Sequence, residues 1–85
     1  MPNNIIEIAT NNKKLSVYRG FLRVEEEGNV LKDIPFNSIQ AVIVTAFNVV
    51  YTQNLLQRLC EENIPLLILG KNYAFFVSIF YVLQF

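Results

Sequence analysis

Between positions 39 and 70 the spacing of the apolar residues is typical first of strands, then of a helix, and then of a strand again. Ile39 to Val44 is a run rich in β-branched residues, which is typical of a buried strand, and Val49 to Tyr51 predicts a shorter one. Leu66 to Leu69 is apolar on both faces, so it needs cover on both sides. We therefore expect the helix that precedes it to lie across one face of a sheet built from these three segments.

A helix is predicted from Gln53 to Glu62, because the apolar residues in this stretch recur at helical spacing. Thr52 occupies the predicted N-cap position of this helix. Asn63 can adopt the left-handed conformation that ends a helix, and Pro65 cannot continue it. The apolar side of this helix is formed by four residues: Leu55, Leu56, Leu59 and Cys60.

The first third of the chain alternates apolar and polar residues with the period of strands. Asn4 to Ala9 predicts one strand, and two more, Lys14 to Arg19 and Phe21 to Glu26, flank Gly20. Glycine takes positive φ without a steric penalty, so these two strands are predicted to form a hairpin. The inward side chains of the hairpin are expected to be Leu15, Val17, Leu22 and Val24.

A further strand is predicted from Val30 to Ile34, ended by Pro35, and the apolar run after Asn72 predicts a last one. No repeat or linker divides the sequence. We expect residues 1–85 to form one α+β domain, mostly β, with two sheets of about seven or eight short strands and one helix.

The composition is unusually apolar for so small a chain. Hydrophobic residues make up 53% of the sequence and charged residues 16%, and the formal net charge is zero. A domain of this size buries only roughly 60% of its unfolded surface, so part of the apolar surface is expected to be covered by a partner. With one cysteine and no signal-peptide pattern, the chain is expected to be cytoplasmic.

Two groups of residues resemble catalytic or metal-binding sets but are better explained otherwise. Glu25 to Glu27 are consecutive in an extended segment, so their carboxylates point to opposite sides, and a solvated turn is the preferred interpretation. Cys60 lies on the apolar side of the helix, where a cysteine is more often a small buried hydrophobe. The sequence has no histidine that could act as its base.

Three stretches in this order resemble a known family. They are LS followed by GFL in residues 15–22, IP followed by an isoleucine in residues 34–39, and the helix followed by NIP and an apolar strand in residues 53–69. Together they resemble the N-terminal β-domain of the universal CRISPR-associated (Cas) integrase, the endonuclease of spacer acquisition. The resemblance runs from about Ile5 to Phe76.

The resemblance implies a function and partners. In that family the N-terminal domain mainly pairs protomers, and a helical domain binds Mg or Mn through a glutamate, a histidine and an aspartate for DNA strand transfer. The implied partners are a second copy, DNA and the small ferredoxin-like CRISPR adaptation protein. This sequence has no histidine, so no catalytic or metal residue is carried over, no cofactor is expected in this chain, and the 85 residues are expected to be inactive alone. The tail from Phe75 to Phe85 lacks the family's polar hairpin and proline, so a truncated or frame-disrupted copy, or this domain in isolation, is expected rather than a complete enzyme.

A basic hairpin is the candidate DNA contact, because lysine and arginine can neutralise phosphates and a neighbouring tyrosine can stack on an exposed base. From the residues alone, an ordinary solvated edge that discourages unwanted strand pairing is the preferred interpretation, because the acidic remainder of the chain weakens the overall field. The residues of this candidate contact are Lys13, Lys14, Tyr18, Arg19 and Arg23.

The apolar tail is the candidate dimer interface, since its large side chains exceed what a small core can absorb. The alternative for this tail is aggregation-prone surface. Two further interpretations of the whole chain stay open: a stand-alone protein-interaction module, and a small membrane-associated protein anchored by Ile64 to Phe85, although no membrane partner is expected. The candidate interface residues are Phe75, Phe76, Ile79, Phe80 and Tyr81.

Overall fold

Two four-stranded sheets and one α-helix make up the described part of the chain. The structure, a computed structural model, describes residues 3–69 and the backbone of residues 74–77. The strands are β1 (Asn4–Ile8), β2 (Lys13–Tyr18), β3 (Phe21–Glu26), β4 (Asn29–Pro35), β5 (Ile39–Val44), β6 (Val50–Tyr51), β7 (Leu66–Leu69) and β8 (Ala74–Val77); the helix is α1 (Gln53–Glu61). The predicted fold class, a mostly β domain of two sheets with one helix, is confirmed.

The first sheet has the strand order β1-β5-β7-β8, and the second has the order β4-β3-β2-β6. In the first sheet, β1, β5 and β7 run parallel and β8 is antiparallel to β7. In the second, β2, β3 and β4 form an antiparallel meander, and β6 adds to β2 in parallel. The apolar-rich strand β5 and the all-apolar strand β7 are thus neighbours in one sheet.

One hydrophobic core joins the two sheets and the helix. It takes Val42 and Val44 from the first sheet, Leu15 and Leu22 from the second, and Leu55 from the helix, each no more than 1% exposed. In β2 and β3 the buried positions alternate with exposed or half-exposed ones, which is the period-two pattern predicted from the sequence.

The ends of α1 follow the sequence prediction. The Thr52 side chain accepts a hydrogen bond from the backbone N–H of Leu55 at 3.2 Å, which satisfies one of the free donors of the first turn. Asn63 has φ of 56°, and the N–H of Ile64 donates to the carbonyl of Leu59 at 2.9 Å. The chain therefore leaves the helix through a left-handed residue with its last carbonyls partnered.

The position of the helix differs from the expectation that it covers a sheet made of its flanking strands. Its closest strand is β2 of the second sheet, and β6 pairs with β2 rather than with β5 or β7. The chain between β5 and α1 therefore crosses from one sheet to the other. Leu55 and Leu59 on the buried side of α1 fill the space between the two sheets.

Candidate nucleic-acid interface

The predicted basic hairpin is formed by β2 and β3, which meet in a two-residue turn. Arg19 has φ of 49° and Gly20 has φ of 80°, and Tyr18 pairs with Phe21 across the turn. Two successive residues with positive φ match the right-handed twist of the flanking strands. The turn fixes the register, and the register decides which face of the sheet each side chain occupies.

Strand alternation places Lys13 on the inner face of the second sheet, apart from the other predicted contacts. Lys13 is 7% exposed, and its ammonium group forms an ion pair with Glu26 and donates to the carbonyl of Asn11 at 3.0 Å. Burial of a lysine is tolerated where its charge is paired and hydrogen bonded. The structure thus gives Lys13 a structural partner within the domain, at the base of the β1–β2 loop.

Tyr18 and Arg23 lie together on the outer face of the second sheet. The Arg23 guanidinium lies 3.6 Å from the centre of the Tyr18 ring, a distance typical of a cation–π contact. Two parallel hydrogen bonds join Arg23 to Asp33 of β4, from Nε to Oδ1 at 2.9 Å and from Nη2 to Oδ2 at 3.0 Å. The Arg23 charge is therefore shared between an aromatic ring and a carboxylate of its own sheet.

This pairing changes the ionisation of both partners. The hydrogen bond from Arg23 holds the pKa of the Asp33 carboxyl below its ordinary value, with the positive charge of Arg23 adding to the effect against some desolvation. The same hydrogen bond raises the pKa of Arg23. Both side chains are charged at neutral pH, and Arg23 acts mainly as a brace that holds the Tyr18 ring.

Lys14 and Arg19 are the exposed cations of the hairpin. Within residues 3–69 neither has a carboxylate at ion-pair distance. Arg19 lies 5.2 Å from the centre of the Tyr18 ring, which is itself 39% exposed, and Glu25 stands opposite Lys14 in the strand register. Of the predicted contacts, then, Lys14, Tyr18 and Arg19 are the ones presented to solvent.

A β-bulge explains why sequence analysis missed Asp33. The turn between β3 and β4 pairs Glu26 with Asn29, and continuing that register would put Lys32 opposite Arg23. Instead, the register shifts between Val24 and Glu25, and Asp33 faces Arg23. The sequence shows only that the neighbouring strand β4 contains an acidic residue, Asp33. Which residue of β3 this carboxylate faces depends on the bulge.

Phe47 is a second exposed aromatic residue that the sequence analysis did not single out. It is 60% exposed in the loop between β5 and β6. Its N–H donates to the side-chain carbonyl of Asn11 at 2.7 Å, and its carbonyl accepts from the N–H of Asn12 at 3.1 Å. The loops that follow β1 and β5 are thereby fixed to each other beside Lys13.

The remaining candidate residues divide into those the structure describes and those it does not. Cys60 is half-buried on α1, and the glutamate run ends in the turn where Glu27 has φ of 50°. The side chains of the predicted dimer interface, Phe75, Phe76, Ile79, Phe80 and Tyr81, lie outside the described residues.

Neither a metal centre nor a membrane span is found in the described part of the chain. No three side chains of metal-ligating type come together there. Likewise, no helix in that part is both long enough and apolar enough to cross a membrane.

Comparison with known proteins assigns the family. A family model described as CRISPR associated protein Cas1 matches residues 6–82. This match covers most of the sequence, so the chain belongs to the Cas1 family. No protein with a curated description matches it.

Solved structures share the fold. A Cas1 protein from Thermotoga maritima superposes with a TM-score of 0.69 at 17% identity, over 88% of this chain and 24% of that one. A partial Cas6-RT-Cas1–Cas2 complex gives a TM-score of 0.75 at 17% identity, over 92% and 24%. A TtCas1–DNA complex gives 0.68 at 10% identity, over 84% and 25%. The chain thus spans about a quarter of the length of each of these proteins.

Proposed function

We propose that residues 1–85 act as one domain, the N-terminal β-domain of a Cas1 integrase, which pairs protomers and positions DNA during the insertion of new spacers into a CRISPR array. Family membership supports this role. So do the solved relatives, among them a Cas1–DNA complex and a Cas1–Cas2 assembly. In this proposal the partners are DNA, a second Cas1 copy and the small adaptation protein.

The observation that carries the DNA-positioning role is the exposed surface of the β2–β3 hairpin, which presents Lys14, Tyr18 and Arg19. Lys14 and Arg19 are exposed and lack an ion-pair partner among residues 3–69. The exposed Tyr18 ring lies 5.2 Å from Arg19 and is held by the Arg23 guanidinium at 3.6 Å. Exposed cations contact phosphates, and an exposed ring can stack on an unpaired base. The brace fixes the ring before DNA arrives, so less side-chain freedom is lost on binding.

The test compares two lysine substitutions that change the net charge equally. Lys14→Gln should weaken binding of branched DNA by the 85-residue chain and reduce the slope of log affinity against log salt by about one. Lys32→Gln is the control, since Lys32 is exposed on β4 and pairs with Val24, which places it on the face of the sheet opposite to Arg23. Equal effects of the two substitutions on affinity and salt slope would mean that DNA binding depends only on the net charge of the chain. This result would contradict a DNA contact at the hairpin.

Strand transfer itself is proposed to lie outside this chain. The family chemistry requires Mg or Mn, but the sequence has no histidine and no three ligating side chains meet in the described part. The residues present do not fit such a metal, so no catalytic step is assigned to these 85 residues. A nuclease assay with Mn on branched DNA should remain at background, and clear metal-dependent cleavage by the 85-residue chain would overturn this assignment.

Protomer pairing is the other half of the proposal. Its support within the described residues is a set of exposed apolar side chains that a 53% hydrophobic sequence leaves uncovered. Sedimentation equilibrium should show a reversible dimer, and a monomer at all concentrations would contradict it. The exposed apolar residues are Ile5, Phe21, Val30, Leu31, Phe47 and Val50.

A further inference from the structure

A groove of about 280 Å³ opens where the β2–β3 turn approaches the C-terminal turn of α1. Two arginines line it from different elements: Arg19 from the turn and Arg58 from the helix. Phe21 and Phe36 contribute ring surface. The full lining is Arg19, Gly20, Phe21, Pro35, Phe36, Asn37, Arg58 and Glu62.

Arg58 makes two contacts at this groove. Its guanidinium carbon lies 5.3 Å from the centre of the Phe36 ring, and its Nε lies 3.3 Å from Oε1 of Glu62, one helical turn later. The contact with Glu62 is an ion pair without hydrogen-bond geometry. The Arg58 side chain as a whole is 39% exposed, so it is accessible from the groove.

Arg19 supplies the second charge from a position that the backbone fixes. Its φ of 49° places it in the two-residue turn, and the N–H of Phe36 donates to the carbonyl of Gly20 at 3.5 Å, which ties this turn to the opposite wall. Arg19 has no carboxylate partner among residues 3–69. Two guanidinium groups, one of them without a counter-ion, face one small space, and this arrangement suits an anion.

The C-terminus of α1 contributes little negative potential at this groove. A helix C-terminus carries partial negative charge on its free carbonyls. In this protein three of those carbonyls accept backbone hydrogen bonds: Arg58 from Glu62, Cys60 from Asn63 and Leu59 from Ile64. Glu62 is then the main source of negative charge in the groove lining.

We infer that this groove is a phosphate-binding site, in which the guanidinium groups of Arg19 and Arg58 hold one phosphate group. Guanidinium matches phosphate oxygens in a forked, charge-assisted geometry. The phosphate belongs either to a nucleic-acid backbone or to a free phosphate compound. Binding of a nucleic-acid phosphate rests on the proposed DNA-positioning function. Binding of a free phosphate compound in the groove does not depend on that function.

The test maps three probes on the isotope-labelled 85-residue chain by NMR: inorganic phosphate, a short oligothymidylate, and thymidine, which has no phosphate. Phosphate and the oligonucleotide should shift the backbone amides of Gly20 and Asn37 and the Nε–H of Arg58, and thymidine should not. Shifts from thymidine alone, or no shift at these groups with any probe, would overturn the site. Because the probes are mapped on the parent chain, this test of phosphate binding does not depend on whether a variant folds.

Substitutions then separate a built site from general electrostatics. Arg58→Gln should weaken phosphate binding about tenfold or more, as expected when a charge-assisted hydrogen bond is lost. Lys32→Gln, which removes the same charge elsewhere, should have little effect. Glu62→Gln should tighten binding, because it removes the competing carboxylate. Equal losses for Arg58→Gln and Lys32→Gln, or weaker binding for Glu62→Gln, would contradict the inference.

The probes also distinguish this inference from the proposed function. Shifts with phosphate but none with the oligonucleotide support the groove and remove nucleic acid as its source. Oligonucleotide shifts confined to Lys14 and Tyr18, with no groove shift from either the oligonucleotide or inorganic phosphate, support DNA positioning and refute the phosphate site.

Discussion

Arg23 and Tyr18 come from adjacent strands of one hairpin, and the Arg23 guanidinium lies 3.6 Å from the centre of the Tyr18 ring. Asp33 holds the other edge of the same guanidinium by two hydrogen bonds. Three strands of the second sheet are thereby joined on their outer face. An exposed aromatic side chain is kept in one orientation beside Arg19, on the same face of β2 as Lys14.

The carboxyl of Asp33 should make stability depend on acid pH. Its pKa is lowered in the folded state, chiefly by the hydrogen bond from Arg23. Its contribution is therefore fully present above the unfolded pKa of about 3.9 and is lost as pH falls through the lower folded pKa. We expect Asp33→Asn to be less stable than the parent at neutral pH, with the gap closing in acid. Urea unfolding at a series of pH values measures this.

The control for acid stability is Glu27→Gln, which removes an exposed turn carboxylate that has no ion pair in the described structure. It should leave the acid profile unchanged. If the gap between Asp33→Asn and the parent stayed constant from neutral to acid pH, the Arg23–Asp33 pair would not be the cause.

Leu59 should be among the most sensitive positions of the core. It is fully buried on α1 between the two sheets, so Leu59→Ala leaves a cavity and should lower the free energy of unfolding by about 2–5 kcal/mol. Leu31→Ala is the matched control, because Leu31 is 52% exposed and should change stability by less than about 0.5 kcal/mol. Similar losses in chemical denaturation would show that α1 does not pack as described.

Thr52 should contribute through its cap. Its side-chain oxygen accepts from the N–H of Leu55 at 3.2 Å, and Thr52→Ala should cost about 0.5–2 kcal/mol of unfolding free energy. Thr52→Ser keeps the hydroxyl group and should retain most of the stability. A serine variant as unstable as the alanine variant would assign the loss to packing of the threonine methyl group.

Gly20 should be sensitive for a backbone reason. A Cβ at Gly20 would meet no atom within 4 Å, but its φ is 80°. Gly20→Ala should therefore lose about 1 kcal/mol through the left-handed conformation alone. Gly20→Asn should lose less, since asparagine tolerates this region. Thermal unfolding compares the two, and an alanine variant as stable as the parent would mean that the turn takes another form.

Local features of the fold were predictable from the sequence. The capping residue Thr52, the left-handed Asn63 and the turn at Gly20 depend on neighbours a few residues away, and each was found where the sequence indicated, although the turn also takes in Arg19, which was expected to end the strand. The inward side chains of β2 and β3 followed from alternation, since one face of each strand is buried. These features could be predicted because each depends on residues within a single turn or strand.

The candidate site was predictable only in part, because it depends on distant pairings. The hairpin sequence predicted a basic surface, but burial beside Glu26 removed Lys13 from it. A bulge, which leaves Ile34 opposite Leu22 on the core side, brought Asp33 to Arg23. Neither effect can be read from spacing, since one extra residue in a strand changes every later partner.

The sequence by itself determined the strands, the helix with its ends, and the family resemblance, because these follow from local periodicity and residue order. The tertiary structure alone decided that β6 joins β2, that α1 lies closest to β2, and that Arg58 shares a groove with Arg19. Those contacts join segments far apart in the chain, and they exist only once both sheets bury their apolar faces on the same helix.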